Sequence, residues 1–373
     1  MIAHMRLTVL LGSGSSRPAG IPSTKEITEK VCSGEGIVRH TDGVYYHLSQ
    51  NPRPDNRRKL VLALTNVLFS EVQAYYDGAR SCCVNYENCC YAASQLRDAV
   101  SGEFDNPVVE PMIEKLAKKA ELSDLLGRDE DRLLLFTETV NYIQDVVWGM
   151  LSRTPGDLRY LDWVINVTRD MELSSVDLVT LNHDTVLERA FRSNSVGFCD
   201  GFGGPVNGVR FWEPDRLQDS DRIRLVKLHG SIDWFLFLPN KKISIPENRD
   251  PYYTAPRPVL LVGTFNKMLE YTTGVFADLH CHFHRCLRRT DLLISCGYGF
   301  GDKGINTKLS EWINEDDRRR LVLLHGDPVN TLERSRGAIA KHWRSWQDRE
   351  KLRFLEKWVH EISWEEVKSA LLD

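Results

Sequence analysis

A short apolar run, Leu7 to Leu11, leads directly into Gly12-Ser-Gly14-Ser-Ser16-Arg-Pro-Ala-Gly20-Ile21-Pro22. The run reads as a buried strand. Behind the loop, Ser23-Thr-Lys-Glu26 reads as a capping box that opens a helix. A strand, a glycine turn and a helix start together suit a phosphate group. Bare backbone lets the phosphate approach, and free N–H groups at a helix end point at it. Arg17 stands where the usual dinucleotide fingerprint carries its third glycine, so that fingerprint is not met. A tight strand-to-helix turn would use the same glycines, so the loop alone does not decide between the two.

The remaining periodicity divides the chain of 373 residues. Residues 33 to 56 are polar and rich in turn formers, and read as loop. Helical spacing then runs through Arg57 to Tyr76, Ala92 to Val100, Val109 to Ala120, Leu133 to Leu151 and Leu158 to Met171. Short, strongly apolar runs come next at Val176 to Leu181, Leu225 to Leu228, Val259 to Val262, Leu292 to Cys296 and Leu321 to Leu324. Strands apolar on both faces imply a parallel sheet covered by helices. Helical segments fall between them at Thr185 to Phe191, Asn266 to Arg289 and Ile305 to Asn314. The expected fold class is α/β: a Rossmann-like open parallel sheet with a large all-helical insertion and a C-terminal helical tail. The expected organisation is a ligand-binding domain over 1–50 and 172–330, the insertion over 51–171, and the tail over 331–373.

Composition narrows the function classes. The net charge of −4 argues against direct nucleic-acid binding, and the basic clusters Arg285 to Arg289 and Arg318 to Arg320 read as solvated faces. No apolar run reaches the ~20 residues of a membrane span. The first eleven residues lack the pattern of a signal peptide, which gives a cytoplasmic location as the default. Nine cysteines, an odd number, are read as mostly free thiols in a reducing compartment.

Polar clusters recur at the expected strand ends, the edge where open α/β sheets bind ligands. They are Gly12-Ser13-Gly14, Thr180-Leu-Asn182-His-Asp184, Leu228-His229-Gly230-Ser231, Gly297-Tyr298-Gly-Phe-Gly-Asp302 with Asn306, and His325-Gly-Asp327. Each taken singly is explained by a turn or a cap, Asp184 by a helix cap for example. Five on one edge are not.

These residues carry a family resemblance. The stretch Gly12 to Pro22 resembles, without gaps, the NAD-binding loop of sirtuins (GAGxSxxxGIP). Thr180-Leu-Asn182-His-Asp184 is similar to the sirtuin TQNID motif, and Leu228-His229-Gly230-Ser231 to the segment with the catalytic histidine. Gly297 to Asp302 resembles the GYSFxD variant of SIR2-like proteins, many of them in bacterial anti-phage defence systems. Two departures stand out. Deacetylase sirtuins carry two CxxC pairs for zinc after the histidine, whereas this chain has only Cys281, Cys286 and Cys296 there. Their loop also continues into Asp-Phe-Arg, where this one has Ser23-Thr24-Lys25. Both speak against an acetyl-lysine substrate. The resemblance implies a SIR2-like NADase that uses NAD+ as substrate and needs no metal.

That chemistry requires no carboxylate pair, because the pyridinium leaving group departs neutral, unlike an ordinary glycoside's. The resemblance also implies roles for individual residues. Asn182 orients the ribose and the attacking water, and His229 is the general base on a ribose hydroxyl or on that water. Gly12, Ser13, Gly14 and Ser16, with Gly20, Ile21, Pro22 and Thr180, form the NAD-binding loop and its support. Asp184 holds the nicotinamide amide or the local turn, and Gly297, Tyr298, Asp302 and Asn306 line the adenosine half. Arg17 faces either a phosphate or solvent. The resemblance further implies a regulated effector, a homo-oligomer, and a HerA-type ATPase or other defence-system protein as partner. The alternatives are a non-catalytic NAD or ADP-ribose scaffold, a nucleic-acid-acting subunit and, set back by the missing zinc ligands, a deacetylase. Elsewhere, Cys82-Cys83 and Cys89-Cys90 are read as reduced thiols, since adjacent pairs chelate poorly. His280-Cys-His-Phe-His-Arg-Cys286 is read as one packed helix, and Asp200 to Pro205 as a lid or a turn.

Overall fold

The computed structural model describes residues 5–48, 55–79, 84–103, 107, 109–119, 128–217, 221–248, 253–263 and 270–372. In chain order the strands are β1 (Met5–Leu11), β2 (Ile37–Arg39), β3 (Tyr45–His47), β4 (Leu173–Thr180), β5 (Val209–Phe211), β6 (Ile223–Lys227), β7 (Gly230–Phe237), β8 (Lys242–Pro246), β9 (Thr254–Leu260), β10 (Leu292–Cys296), β11 (Arg320–Leu324) and β12 (Leu352–Leu355).

Six of them form one sheet in the order β12-β11-β10-β1-β4-β6, with every neighbouring pair parallel. The chain lays β1 in the middle and builds outward through β4 and β6. It then returns to the other side of β1 with β10, β11 and β12. This is the doubly wound, Rossmann-like arrangement, and its switch point lies between β1 and β10. The apolar runs fit that position: Leu7, Val9, Leu10 and Leu11 are fully buried, as are Leu293 and Ile294.

The chain divides into two compact units. One comprises the described parts of 5–21, 154–260 and 270–372, and contains the parallel sheet. The other comprises those of 22–153 and 261–263. In the second, helices Thr24–Ser33, Asn56–Ala79, Tyr86–Ser101, Glu110–Ala117 and Asp129–Leu151 dominate. Ser23 opens the first of these with the expected capping box. The unit also holds the antiparallel hairpin β2–β3, in a stretch expected to be loop. Tyr45 of this hairpin donates from its N–H to buried Asp145 and from its hydroxyl to Glu138. Cys89 and Cys90 are buried free thiols in this unit, whereas Cys82 and Cys83 lie outside the described residues.

Four features differ from the sequence-based expectation. The run Val259–Val262 is not a strand of the parallel sheet. Residues 254–260 form β9, the edge of a four-stranded antiparallel sheet in the order β5-β8-β7-β9. Pro256 and Pro258 suit an edge strand, because neither donates to a ladder. The second feature is β7, which starts only two residues after β6 ends. Thirdly, the helical tail contributes helices Ala338–Asp348 and Trp364–Leu372 but also β12, the sheet's sixth strand. Lastly, the glycine loop does not open straight into an α-helix. A 3-10 helix, Ser13–Ala19, comes first. No helix of the described residues is long and apolar enough to cross a membrane.

This packing can be tested in two places. At the switch point a Cβ on Gly297 would lie 2.2 Å from the Ser15 nitrogen, and Gly297 has φ +65°. Gly299 has nothing within 4 Å. Gly297→Ala should therefore lower the unfolding free energy by about 2 kcal/mol or more, with Gly299→Ala near neutral, as read by urea denaturation. The second place is helix Gly274–Arg289, where burial pushes His280 down to about 3 and His282 down to about 4. Their folded values lie below the unfolded one, so the neutral rings stabilise the fold above about pH 6.5. That stability is lost as pH falls toward 4, by at most about 1.4 kcal/mol per pH unit for each ring. Unfolding measured from pH 7 to 4 should show the slope, and His282→Asn should flatten it.

Candidate active site

The site forms where the ends of β1, β4, β6 and β10 meet. At the switch point two turns are locked backbone to backbone. Gly12 N donates to Cys296 O at 3.0 Å, and Gly14 N to Gly297 O at 2.9 Å. A Cβ on Gly12 would lie 2.6 Å from both Gly297 O and Tyr298 Cα. The glycines are thus required by the contact between the two turns. Ser15 N donates to Gly12 O at 2.9 Å, closing the first turn. Amides expected to face a phosphate are therefore tied to protein carbonyls at Gly12, Gly14 and Ser15. Gly20, at φ +80°, closes the 3-10 helix onto Arg17 O, and Ile21 is core. Pro22, next in the chain, is buried.

Asn182 reaches this loop from the end of β4. Its Nδ2 donates to Gly12 O and Ser16 Oγ, each at 3.0 Å, and lies 3.3 Å from Ser15 Oγ. Its backbone N–H donates to Thr180 Oγ1, which in turn donates to Leu11 O. Asp184 accepts from Val186 N at 3.0 Å, consistent with fixing the local turn.

His229 stands past the neighbouring strand end. Thr180 pairs with Lys227 in the sheet, so Asn182 and His229 each come two residues after a paired strand end. His229 is 4% exposed. Its Nε2 lies 3.2 Å from Tyr271 Oη and 3.3 Å from Asp302 Oδ2. Tyr271 Oη donates to the same carboxylate oxygen at 2.6 Å. Asp302, expected on the adenosine side, thus lies beside the histidine.

Tyr298 and Asn306 hold the Gly297 loop from inside. Tyr298 Oη lies 2.8 Å from Asn306 Oδ1, and Asn306 Nδ2 donates to Phe300 O at 2.8 Å and Arg336 O at 3.0 Å. Phe300 has φ +52°, uncommon for an aromatic residue. Asn306 is 1% exposed, so it shapes the loop rather than lining a surface.

A cavity of about 790 Å³ opens on the β1–β10–β11 side of the switch point, within the size range of ligand pockets. Ser13, Gly14, Arg17, Tyr160, Gly297 and Trp358 are among its lining residues, and Asn182, His229 and Asp302 are not. Arg17 is exposed and donates to Ile21 O at 3.0 Å. The Tyr160 hydroxyl is buried and has no hydrogen-bond partner among the described residues. Burial also raises its pKa, so it is a neutral donor. Sequence reasoning missed Tyr160, Trp358 and Tyr271. Tyr271 fell inside the helix expected over Asn266 to Arg289; residues 266–269 lie outside the described residues, 271–273 form a turn, and a helix runs over Gly274–Arg289.

One further polar cluster lies within the sheet unit. Asp177, His282 and Cys286 bring ligand-type atoms within 4.8 Å of one another, all buried. Cys286 Sγ is 3.1 Å from His282 Nε2, and the Asp177 carboxylate accepts from Arg224 Nε at 2.5 Å. The guanidinium already neutralises that carboxylate, as a buried charge requires.

Residues 176–353 match the family described as SIR2-like domain. The match begins on β4, so the glycine loop lies N-terminal to it. No curated protein matches the chain by sequence. Among solved structures, a Sir2 homologue mutant in complex with ADP-ribose is similar at 12% identity, covering 98% of this chain and 91% of that one, with a TM-score of 0.42. A Sir2 homologue–NAD complex is similar at 12% identity, 98% and 89% coverage and a TM-score of 0.40. Sir2 bound to acetylated peptide is similar at 11%, with 99% and 94% coverage and a TM-score of 0.39. By the family match, residues 176–353 of this chain are similar to the SIR2-like domain.

Proposed function

We propose that the chain binds NAD+ and hydrolyses its nicotinamide–ribose bond. The observation that carries this reading is the grouping of Asn182 and His229 past paired ends of neighbouring strands, with the Asn182 amide against the glycine loop. The orphaned Tyr160 hydroxyl in the adjoining cavity adds support, because a buried donor calls for a partner that a bound dinucleotide would supply.

In this mechanism the C1′–N1 bond breaks and its electron pair stays on the nicotinamide nitrogen. Nicotinamide leaves neutral. Water oxygen bonds to C1′, and His229 takes the proton that water loses. The products are nicotinamide, ADP-ribose and a proton. Asn182 positions the ribose and the water, a contribution of orientation. Proton transfer to a positioned histidine is typically worth ~10²–10⁴-fold. Ser13, with Arg17, is the proposed contact for the pyrophosphate, since the amides of Gly12, Gly14 and Ser15 are engaged. His229 is nearly fully buried, so reaction requires the site to open to substrate. That need for opening agrees with a regulated effector of anti-phage defence, triggered by a second copy of the chain or by an ATPase partner. The same burial favours the second reading, a scaffold that binds NAD or ADP-ribose without turnover.

Nicotinamide release from NAD+ by the purified chain is the test. The wild type should release it, and Asn182→Ala and His229→Ala should each lose at least about 100-fold. Full activity in both variants would refute the assignment. If the wild type is silent, calorimetric titration with NAD+ discriminates: binding heat supports the scaffold, and no heat rejects both readings.

A further inference from the structure

We infer that Asp302 and Tyr271 are positioning residues that set the tautomer and basicity of His229. This rests on the NAD+-cleaving reading of the site. One carboxylate does two jobs. Asp302 Oδ1 accepts from Gly304 N at 2.9 Å and Ile305 N at 3.1 Å, capping helix Lys303–Glu315. Oδ2 faces His229 Nε2 at 3.3 Å and accepts the Tyr271 hydroxyl at 2.6 Å. Several donors and a helix N-terminus all favour the anion. Tyr271 gives its one proton to the carboxylate, so its oxygen accepts from Nε2 at 3.2 Å, and with two acceptors facing it Nε2 carries the proton. The lone pair then sits on Nδ1, the nitrogen that takes the proton. The same negative charge raises the affinity of the imidazole for that proton.

Tyr271 moderates the effect. By donating to Oδ2 it draws part of the carboxylate's charge away from His229. Its ring is held by His280, stacked at 3.6 Å between centroids and 24° between planes. Other titratable groups surround the pair. His183 approaches from the end of β4, with its ring centroid 6.2 Å from that of His229. His280 comes from helix Gly274–Arg289, and Lys308 acts on His280 from the helix Asp302 caps. Burial first, and then any positive charge taken up by His229, disfavours protonation of His280. Asp302 is thus the carboxylate in contact with His229 among these groups.

Asp302→Asn tests the charge alone, because asparagine is as good a helix cap and keeps the Oδ1 contacts. The His229 ring would be titrated by NMR in the wild type, Asp302→Asn and Tyr271→Phe, beside pH profiles of nicotinamide release. In Asp302→Asn the His229 pKa should fall by about one unit. The acid limb of kcat/KM should move down with it, and kcat should drop at least tenfold with KM nearly unchanged. In Tyr271→Phe the carboxylate's full charge falls on the ring, and the pKa should rise. Opposite signs from two variants are not expected of a merely structural contact. An unchanged His229 pKa in Asp302→Asn would overturn the inference, and Tyr271→Phe supplies the same readout should Asp302→Asn fail to fold. Shifted pKa values in a chain that neither cleaves nor binds NAD+ would support the pairing while rejecting the functional reading.

Discussion

The contact between two glycine turns at the switch point governs the rest of the site. β1 and β10 run parallel side by side, and the turns that leave them must diverge to opposite halves of the sheet. Here they touch first. Gly14 N reaches Gly297 O, and a Cβ on any of Gly12, Gly14 or Gly297 would come within 3.0 Å of the opposite backbone. This lock fixes the position of Gly12 O. Gly12 O in turn receives the amide of Asn182, so the asparagine's orientation is set by the glycines. Polar partners near a reacting centre act only when held to within a fraction of an ångström.

His229 is positioned differently. Only Leu228 and His229 separate β6 of the parallel sheet from β7 of the antiparallel one. Gly230, at φ +80° with Val259 O 2.2 Å from its would-be Cβ, makes the turn between them. A residue caught between two sheets has little freedom, and Leu228 N is also tied to Thr180 O. The imidazole is then set by Asp302 and Tyr271, whose segments come from the far side of the sequence.

How much of this was legible depends on the range of each interaction. Runs such as Leu292–Cys296 were found at their observed bounds, because a strand buried on both faces writes its whole environment into its composition. The capping box Ser23–Glu26 is local and was equally readable. The run Val259–Val262 was misassigned to the parallel sheet because half-exposed antiparallel strands give a weak pattern, and Pro-Val-Leu-Leu-Val resembles a core strand whichever sheet receives it. β12 was missed for its length of four residues. At the site, Asn182 and His229 could be singled out as polar residues after apolar runs. The proximity of Asp302 and Tyr271 to His229 could not. Asp302 lies 73 residues from His229 and Tyr271 lies 42 residues from it, and nothing in local spacing encodes such pairings.

The burial of His229 has an energetic consequence. As the proposed base, a histidine that is 4% exposed cannot reach a ribose until the site opens. Opening a packed site has a free-energy cost. Ligand binding must offset that cost, so apparent affinity falls by the fraction of chains already open. Anything that favours the open form raises affinity by the same factor without touching the ligand. Under the proposed reading, a second copy or a partner chain that favours the open form would control turnover through a population, with no change in the proposed catalytic groups themselves. For the proposed NAD+ cleavage, such control would serve better than a weak active site, because the full rate remains available once the site is open.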